Sequence, residues 1–285
     1  MELYNLTFNN KIQNDQPLIL CLGSFETLHI GHLELIKNAK SLKILHPECI
    51  LAFSIFKNPH KNGNVKPEKA FQLKPRLYTL ANYGFNQTYI IDFNEDFRYK
   101  TAKEFIELLK KMNVKHIVCG QDYTFGFNKS GNINLLKKYF DVSIASERKI
   151  NSQKISSGII RDLIKESNIE MLNTLLIDKY AFIVNVEKFH FQYPENLIRL
   201  HAGIYYVNVV IENIEYHGIC LINFNQNNEM NNKLILLDLD LVWSKHQEVY
   251  IEFIDKLRLI KNQAENEIFD DDIAIAKAFF SINIK

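Results

Sequence analysis

Five short apolar runs separated by longer stretches of helical spacing fill the first two-thirds of this chain, and that alternation leaves few folds open. The runs are Pro17–Phe25, Cys49–Phe56, Gln87–Phe93, Lys115–Gly120 and Asp141–Ala145. Between and after them the spacing predicts helices over Gly31–Leu45, Lys74–Tyr83, Thr101–Met112, Asn132–Tyr139, Ser157–Lys165 and Asn168–Ile177. Within Thr101–Met112, Ala102, Phe105, Ile106 and Leu109 fall on one helical face. Strands that are apolar throughout and joined by helices belong to a parallel sheet covered on both faces, hence an α/β domain. Ligands of such sheets bind at the carboxyl ends of the strands.

The pattern changes after about Asp178. Strands are expected over Tyr180–Val186, Gly203–Glu212, Ile214–Asn223, Lys233–Leu241 and Glu248–Leu257, with a hairpin loop in the Asn-rich insert Asn223–Asn232 and an acidic helical tail from Lys261 to Phe280. A chain of 285 residues is long for one domain. We therefore expect an α/β domain over 1–178 and a mainly β, barrel-like domain over 179–285.

Composition narrows the function classes. Hydrophobic content of 47% suffices for packed cores, and 34 basic against 33 acidic residues give a net charge of +1. That balance supplies no general attraction for nucleic acid or a membrane surface, so any affinity for phosphate must be local. Cys21, Cys49, Cys119 and Cys220 lie in or beside apolar runs without C-x-x-C spacing, which reads as buried thiols rather than a zinc site or disulfides. The segment Met1-Glu-Leu-Tyr4 has no features of a signal peptide and no apolar run reaches membrane-span length. A cytoplasmic location is the expectation.

Two motifs carry chemistry. The run Leu18–Leu22 leads into Gly23, Ser24 and Phe25, and His29-Ile-Gly-His32 then opens a helix. Gly31 lacks a Cβ and allows close approach of a phosphate. The helix start offers unpaired N–H groups and partial positive charge, and His29 and His32 can donate to phosphate oxygens. Two unrelated histidines at a helix start are the plain alternative. The second motif is Ile155-Ser-Ser-Gly-Ile-Ile-Arg161. Ser156 or Ser157 can cap the following helix, and Arg161 can clamp phosphate through its guanidinium fork. An ordinary cap with a surface arginine is the alternative here, weakened by the presence of the first motif.

The loop from Gly23 to His32, the segment Cys119-Gly-Gln-Asp-Tyr-Thr-Phe-Gly126 with Gly131 after it, and Ile155–Arg161 resemble those of prokaryotic FAD synthetases, bifunctional proteins joining an FMN adenylyltransferase to a riboflavin kinase. Phe56-Lys-Asn-Pro-His60, Arg76-Leu77, Phe93–Phe97 and Glu104–Ile106 also fit the family pattern. Glu26-Thr27 stand where the family usually has Asp-Gly, and Gly158 where it has Thr. The resemblance implies a Rossmann-like nucleotidyltransferase domain that transfers AMP from ATP to FMN, giving FAD and pyrophosphate. It implies His29, His32 and Arg161 as catalytic residues and Gly23, Ser24, Phe25, Gly31, Ser156 and Ser157 as the ATP site. Asn58, Asp122 and Phe125 are candidates for the FMN side, core packing being the alternative for Phe125. FMN's phosphate is already a nucleophile, so no general base is required. Magnesium is expected on the ATP phosphates, without a cage of protein ligands.

The second domain departs from the same family. The kinase stretch G-R-x-x-G-F-P-T-A-N is matched by Phe189–Asn196, where only Pro194 and Asn196 agree. No glycine occurs between Gly158 and Gly203, no threonine after Thr174, and the family's later glutamate falls near Lys233. Gly203-Ile-Tyr205 and Lys256-Leu-Arg258 do match, so a barrel that keeps its fold and has lost its kinase chemistry is expected. Competing readings are a fully bifunctional enzyme, an adenylyltransferase for pantetheine phosphate or nicotinamide mononucleotide, a class I aminoacyl-tRNA synthetase, and a non-catalytic flavin- or nucleotide-binding regulator.

Overall fold

The run Leu18–Cys21 is buried at every position and sits at the centre of the first sheet. The computed structural model describes residues 1–9, 14–58, 68–150, 153–224, 231–238 and 247–283. Pro59 and His60, residues 225–230 of the Asn-rich insert, and residues 239–241 of an expected strand lie outside them. Two compact units result, Met1–Pro67 with Arg76–Ser156, and Glu68–Pro75 with Ser157–Lys285.

In the first unit the strands are β1 (Glu2–Leu6), β2 (Leu18–Cys21), β3 (Ile50–Phe56), β4 (Gln87–Ile91), β5 (Val114–Gly120), a small hairpin of β6 (Thr124–Phe125) and β7 (Gly131–Asn132), β8 (Asp141–Ala145), and a second hairpin of β9 (Lys149–Ile150) and β10 (Gln153–Lys154). The helices are α1 (Leu33–Leu45), α2 (Leu73–Asn82, crossing the unit boundary), and α3 (Glu95–Arg98), α4 (Ala102–Lys111) and α5 (Ile133–Leu136). The main sheet runs β1-β4-β3-β2-β5-β8, every pair parallel. Leu18 and Leu20 join Phe105, Ile106 and Leu109 of α4 in one core. Ile19 and Cys21 alternate to the other face, and α1 lies along β2, β3, β5 and β8. Both faces are thus covered. Successive crossovers move outward from β2 to β4 and then return to β5 on the other side of β2. That reversal opens a crevice at the carboxyl ends of β2 and β5.

The second unit begins with α6 (Ser157–Lys165) and α7 (Ile169–Leu175) and continues into a barrel of β11 (Ala181–Glu187), β12 (His190–Phe191), β13 (Gly203–Ile211), β14 (Ile214–Ile222), β15 (Asn232–Leu236) and β16 (Gln247–Leu259). It closes in the order β11-β12-β15-β14-β13-β16, all antiparallel. Asn173 of α7 ties the helices to it, donating to the carbonyls of Phe253 and Ile254 and accepting from the Tyr180 amide. Phe182, Phe191, Tyr193, Tyr205 and Phe253 form a continuous buried aromatic cluster. On another face Ile204, Tyr206, Ile219 and Leu221 pack against Ala276 and Phe280 of α8 (Asp270–Asn283).

Several elements differ from expectation. β1 was not foreseen, and α5 is four residues long rather than spanning Asn132–Tyr139. The tail forms a 3-10 turn over Gln263–Glu265, and its α-helix begins only at Asp270. Before that, Asn262 accepts the amides of Ala264 and Glu265. Arg258 binds the carbonyls of Glu265 and Glu267 along with the Asp272 carboxylate. Asn262 thus caps that short turn, while Arg258 takes the Glu265 and Glu267 carbonyls that a continuing α-helix would use as acceptors.

Candidate active site

The loop after β2 enters the crevice between β2 and β5. Gly23 is needed for packing: a Cβ there would lie 2.6 Å from the ring of Phe25. Phe25 is 4% exposed and adopts φ 45°, a left-handed conformation costly for a bulky side chain. Its ring lies 4.2 Å from that of Phe53 and stands edge-on to His32, with centroids 5.0 Å apart.

His29 and His32 are brought together as a stacked pair, with ring centroids 3.8 Å apart and planes 21° from parallel. A 3-10 turn, Ile30–His32, delivers them to the start of α1. The His29 amide donates to Nδ1 of His32 at 3.3 Å, and the His32 amide donates to the His29 carbonyl at 2.8 Å. With Nδ1 of His32 accepting, the proton of its neutral ring belongs on Nε2, which is left to donate. Nδ1 of His29 is buried without a hydrogen-bond partner. Gly31 has a steric role, since a Cβ there would lie 2.9 Å from Cε1 and Nδ1 of His29.

Burial lowers the pKa of His29 to about 4, with the proximity of the residue's own backbone opposing and the Lys154 charge acting in the same direction as burial. His32 is pushed well below the usual range by burial and by His29. Both rings are therefore neutral at pH 7. A folded-state pKa below the unfolded value near 6.5 means that the unfolded chain binds the proton more readily. The contribution from His29 is complete above about pH 6.5 and is lost as pH falls toward about 4, reaching roughly 3 kcal/mol. Urea unfolding across that interval should show a shallower loss of stability for His29→Gln than for the parent. Equal slopes would contradict a buried neutral His29.

Ser24 is exposed on the loop, and its carbonyl accepts from the Phe56 amide at 3.0 Å. Asn58 follows β3 with its side-chain oxygen buried and unpartnered. Asp122, after β5, pairs with Lys154 at 2.8 Å, and Lys154 also reaches Glu147 at 2.9 Å. The Lys154 hydrogen bond and charge hold the Asp122 carboxyl low despite opposing burial. Phe125 is 7% exposed and packs within the core against Phe105 and Tyr123. Ser156 closes the first unit. Ser157 and Arg161 lie on the opening turns of α6 in the second, where Arg161 donates to the Glu68 carbonyl at 3.0 Å.

Four residues of the first unit, Lys154, Arg76, Tyr99 and Phe127, have no role assigned from sequence. Lys154 lies close enough to influence His29. Arg76 is buried, and its guanidinium binds loop carbonyls. Tyr99 and Phe127 form an aromatic pair with centroids 5.1 Å apart, 56% and 37% exposed, on segments that follow β4 and β5. Exposed aromatics at strand carboxyl ends are a detectable signal of this kind. A lysine or arginine whose partners are backbone or distant in sequence is not. Among the described residues no group of three or more His, Cys, Asp or Glu is placed to hold a metal, and no helix is long and apolar enough to cross a membrane.

The family model described as FAD synthetase matches residues 11–159. A bifunctional riboflavin kinase/FMN adenylyltransferase of Buchnera aphidicola subsp. Acyrthosiphon pisum is 27% identical over 93% of this chain and 94% of its own. The protein of the same description from Haemophilus influenzae is 26% identical over 93% and 95%. A protein described as FAD synthetase from Listeria monocytogenes is 30% identical over 58% of this chain and 70% of its own. A solved chain described as a macrolide-efflux protein from Streptococcus pneumoniae shares the fold at TM-score 0.78, covering 90% of this chain and all of that one at 22% identity. The histidine-bearing loop at the β2–β5 crevice lies inside the matched region, and the chain belongs to the FAD synthetase family of nucleotidyltransferases.

Proposed function

We propose that this chain transfers AMP from MgATP to FMN. A phosphate oxygen of FMN attacks the α-phosphorus of ATP, a new P–O bond forms, the bond to the β-phosphate oxygen breaks, and pyrophosphate leaves with the electron pair. The observation that supports this most strongly is the buried pair of neutral imidazoles at the crevice, one with a free Nε2–H and one with an unpartnered Nδ1. Such a pair provides fixed donors where charge develops at phosphorus, and it needs little reorganisation on reaction. Gly23, Ser24, Phe25 and Gly31 would shape the nucleotide side, with Ser156, Ser157 and Arg161 engaging the triphosphate. Asn58 and Asp122 would meet FMN, the exposed Tyr99 and Phe127 rings would offer a stacking surface, and Phe125 would support them from within the core. Magnesium enters with ATP as part of the substrate.

The proposal includes the absence of riboflavin kinase activity. Kinase chemistry needs a phosphate cradle and a metal ligand. Here β11 passes to β12 through a two-residue turn, Glu187 pairing with His190, with Lys188 at φ 46° and Phe189 at φ 72°. A turn with both central residues in the left-handed region is a tight hairpin with no loop between β11 and β12 to wrap a phosphate, which supports this reading. The test is paired incubation of the protein and MgATP with FMN or with riboflavin, followed by chromatography. FAD is expected from FMN, and neither FMN nor FAD from riboflavin. Sustained product from riboflavin would disprove the second half of the proposal.

A further inference from the structure

Arg76 is 3% exposed. Its Nη1 donates to the carbonyls of Phe25 at 2.8 Å and Phe56 at 3.0 Å, and its Nη2 donates to the carbonyl of Lys57 at 3.1 Å. These acceptors lie on the two segments that leave neighbouring strands β2 and β3 at their carboxyl ends. The Phe56 amide and Ser24 carbonyl link the same segments. Phe25, the residue held most tightly, is in the left-handed conformation, and its ring stands against His32. Burial lowers the guanidinium pKa to about 10, with Glu26 opposing, so the group stays charged at neutral pH. A planar fork can bind acceptors on two segments at once.

We infer that Arg76 is a positioning residue for adenylyl transfer: it holds Phe25 in its strained conformation and, through the Phe25 ring, fixes the stacked His29–His32 pair. The inference rests on the FMN adenylyltransferase reading above. Without the guanidinium, buried carbonyls lose their donors and Phe25 is free to relax. A shift of the imidazoles on the order of 1 Å would cost roughly a hundredfold in rate.

The test uses the full chain with Arg76→Met, Arg76→Gln and Arg76→Lys, reading FAD formation and the ring-nitrogen NMR signals of His29 and His32. Met and Gln should lower turnover by roughly a hundredfold while the KM for FMN stays within about threefold. Their histidine signals should shift. Lys keeps the charge and three donors, and should recover turnover to within about tenfold and return the signals toward the parent. A folded Met or Gln variant with parental histidine signals, whatever its turnover, would overturn the inference. So would loss of the fold in both variants, which would make Arg76 structural only. If the parent makes no FAD, the adenylyltransferase reading falls, and the NMR signals still decide whether Arg76 sets the histidines.

Discussion

Replacing His32 by alanine is expected to lower FAD turnover by about a hundredfold and to leave FMN affinity within about threefold. Its Nδ1 is engaged by the His29 amide, so Nε2–H is the group left to meet phosphate. A hydrogen bond to phosphate strengthens as charge accumulates in the transition state, so its loss falls on turnover more than on binding. In water such a donor would be worth little. Here it sits in a buried, preorganised pair, where one lost donor typically costs about 3 kcal/mol. Steady-state kinetics alongside flavin fluorescence binding separates the two effects. A variant with raised KM and unchanged turnover would show that His32 only binds substrate.

Gly31→Ala should match or exceed that loss, although it adds a single methyl group. The clash is with a ring rather than with the backbone: the new Cβ would lie 2.9 Å from two atoms of His29. Gly31 is not among the residues with positive φ, so alanine adds no conformational strain. His29 is 7% exposed and stacks on His32 at 3.8 Å, so a shift of its ring disturbs the pair. Displacing the pair should cost roughly a hundredfold or more in turnover with the fold retained. The measurement is turnover together with thermal unfolding. Near-parental turnover would mean that the histidine pair does not set the rate.

What could be read from sequence follows from where each signal resides. β2 and the loop after it were legible because a wholly buried strand reads as an unbroken apolar run, and the glycine and paired histidines follow it directly. β1 was not, because it lies at the sheet edge and only Leu6 of its five residues is buried. The small hairpins and the four-residue helices are too short to establish a periodicity. The five longer barrel strands were legible and the two-residue β12 was not, whereas the final helix starts later than expected because Arg258 takes carbonyls that a longer helix would use. Within the site, His29 and His32 were recognisable as chemistry. Arg76 fits the family pattern, but its role is not legible from sequence, because it binds the backbone carbonyls of Phe25, Phe56 and Lys57 and carbonyls have no residue identity. Lys154 meets Asp122 across 32 residues, a pairing that only folding brings about.

The central claim is attack at the α-phosphorus of ATP by FMN. It is tested most directly by supplying FMN and MgATP labelled at the α-phosphorus in one tube and at the γ-phosphorus in another. The account predicts α-label in FAD and γ-label in pyrophosphate, each in one-to-one proportion to the FAD formed. γ-Label in a flavin product, or α-label remaining in AMP or ATP while FMN persists unchanged, would contradict it.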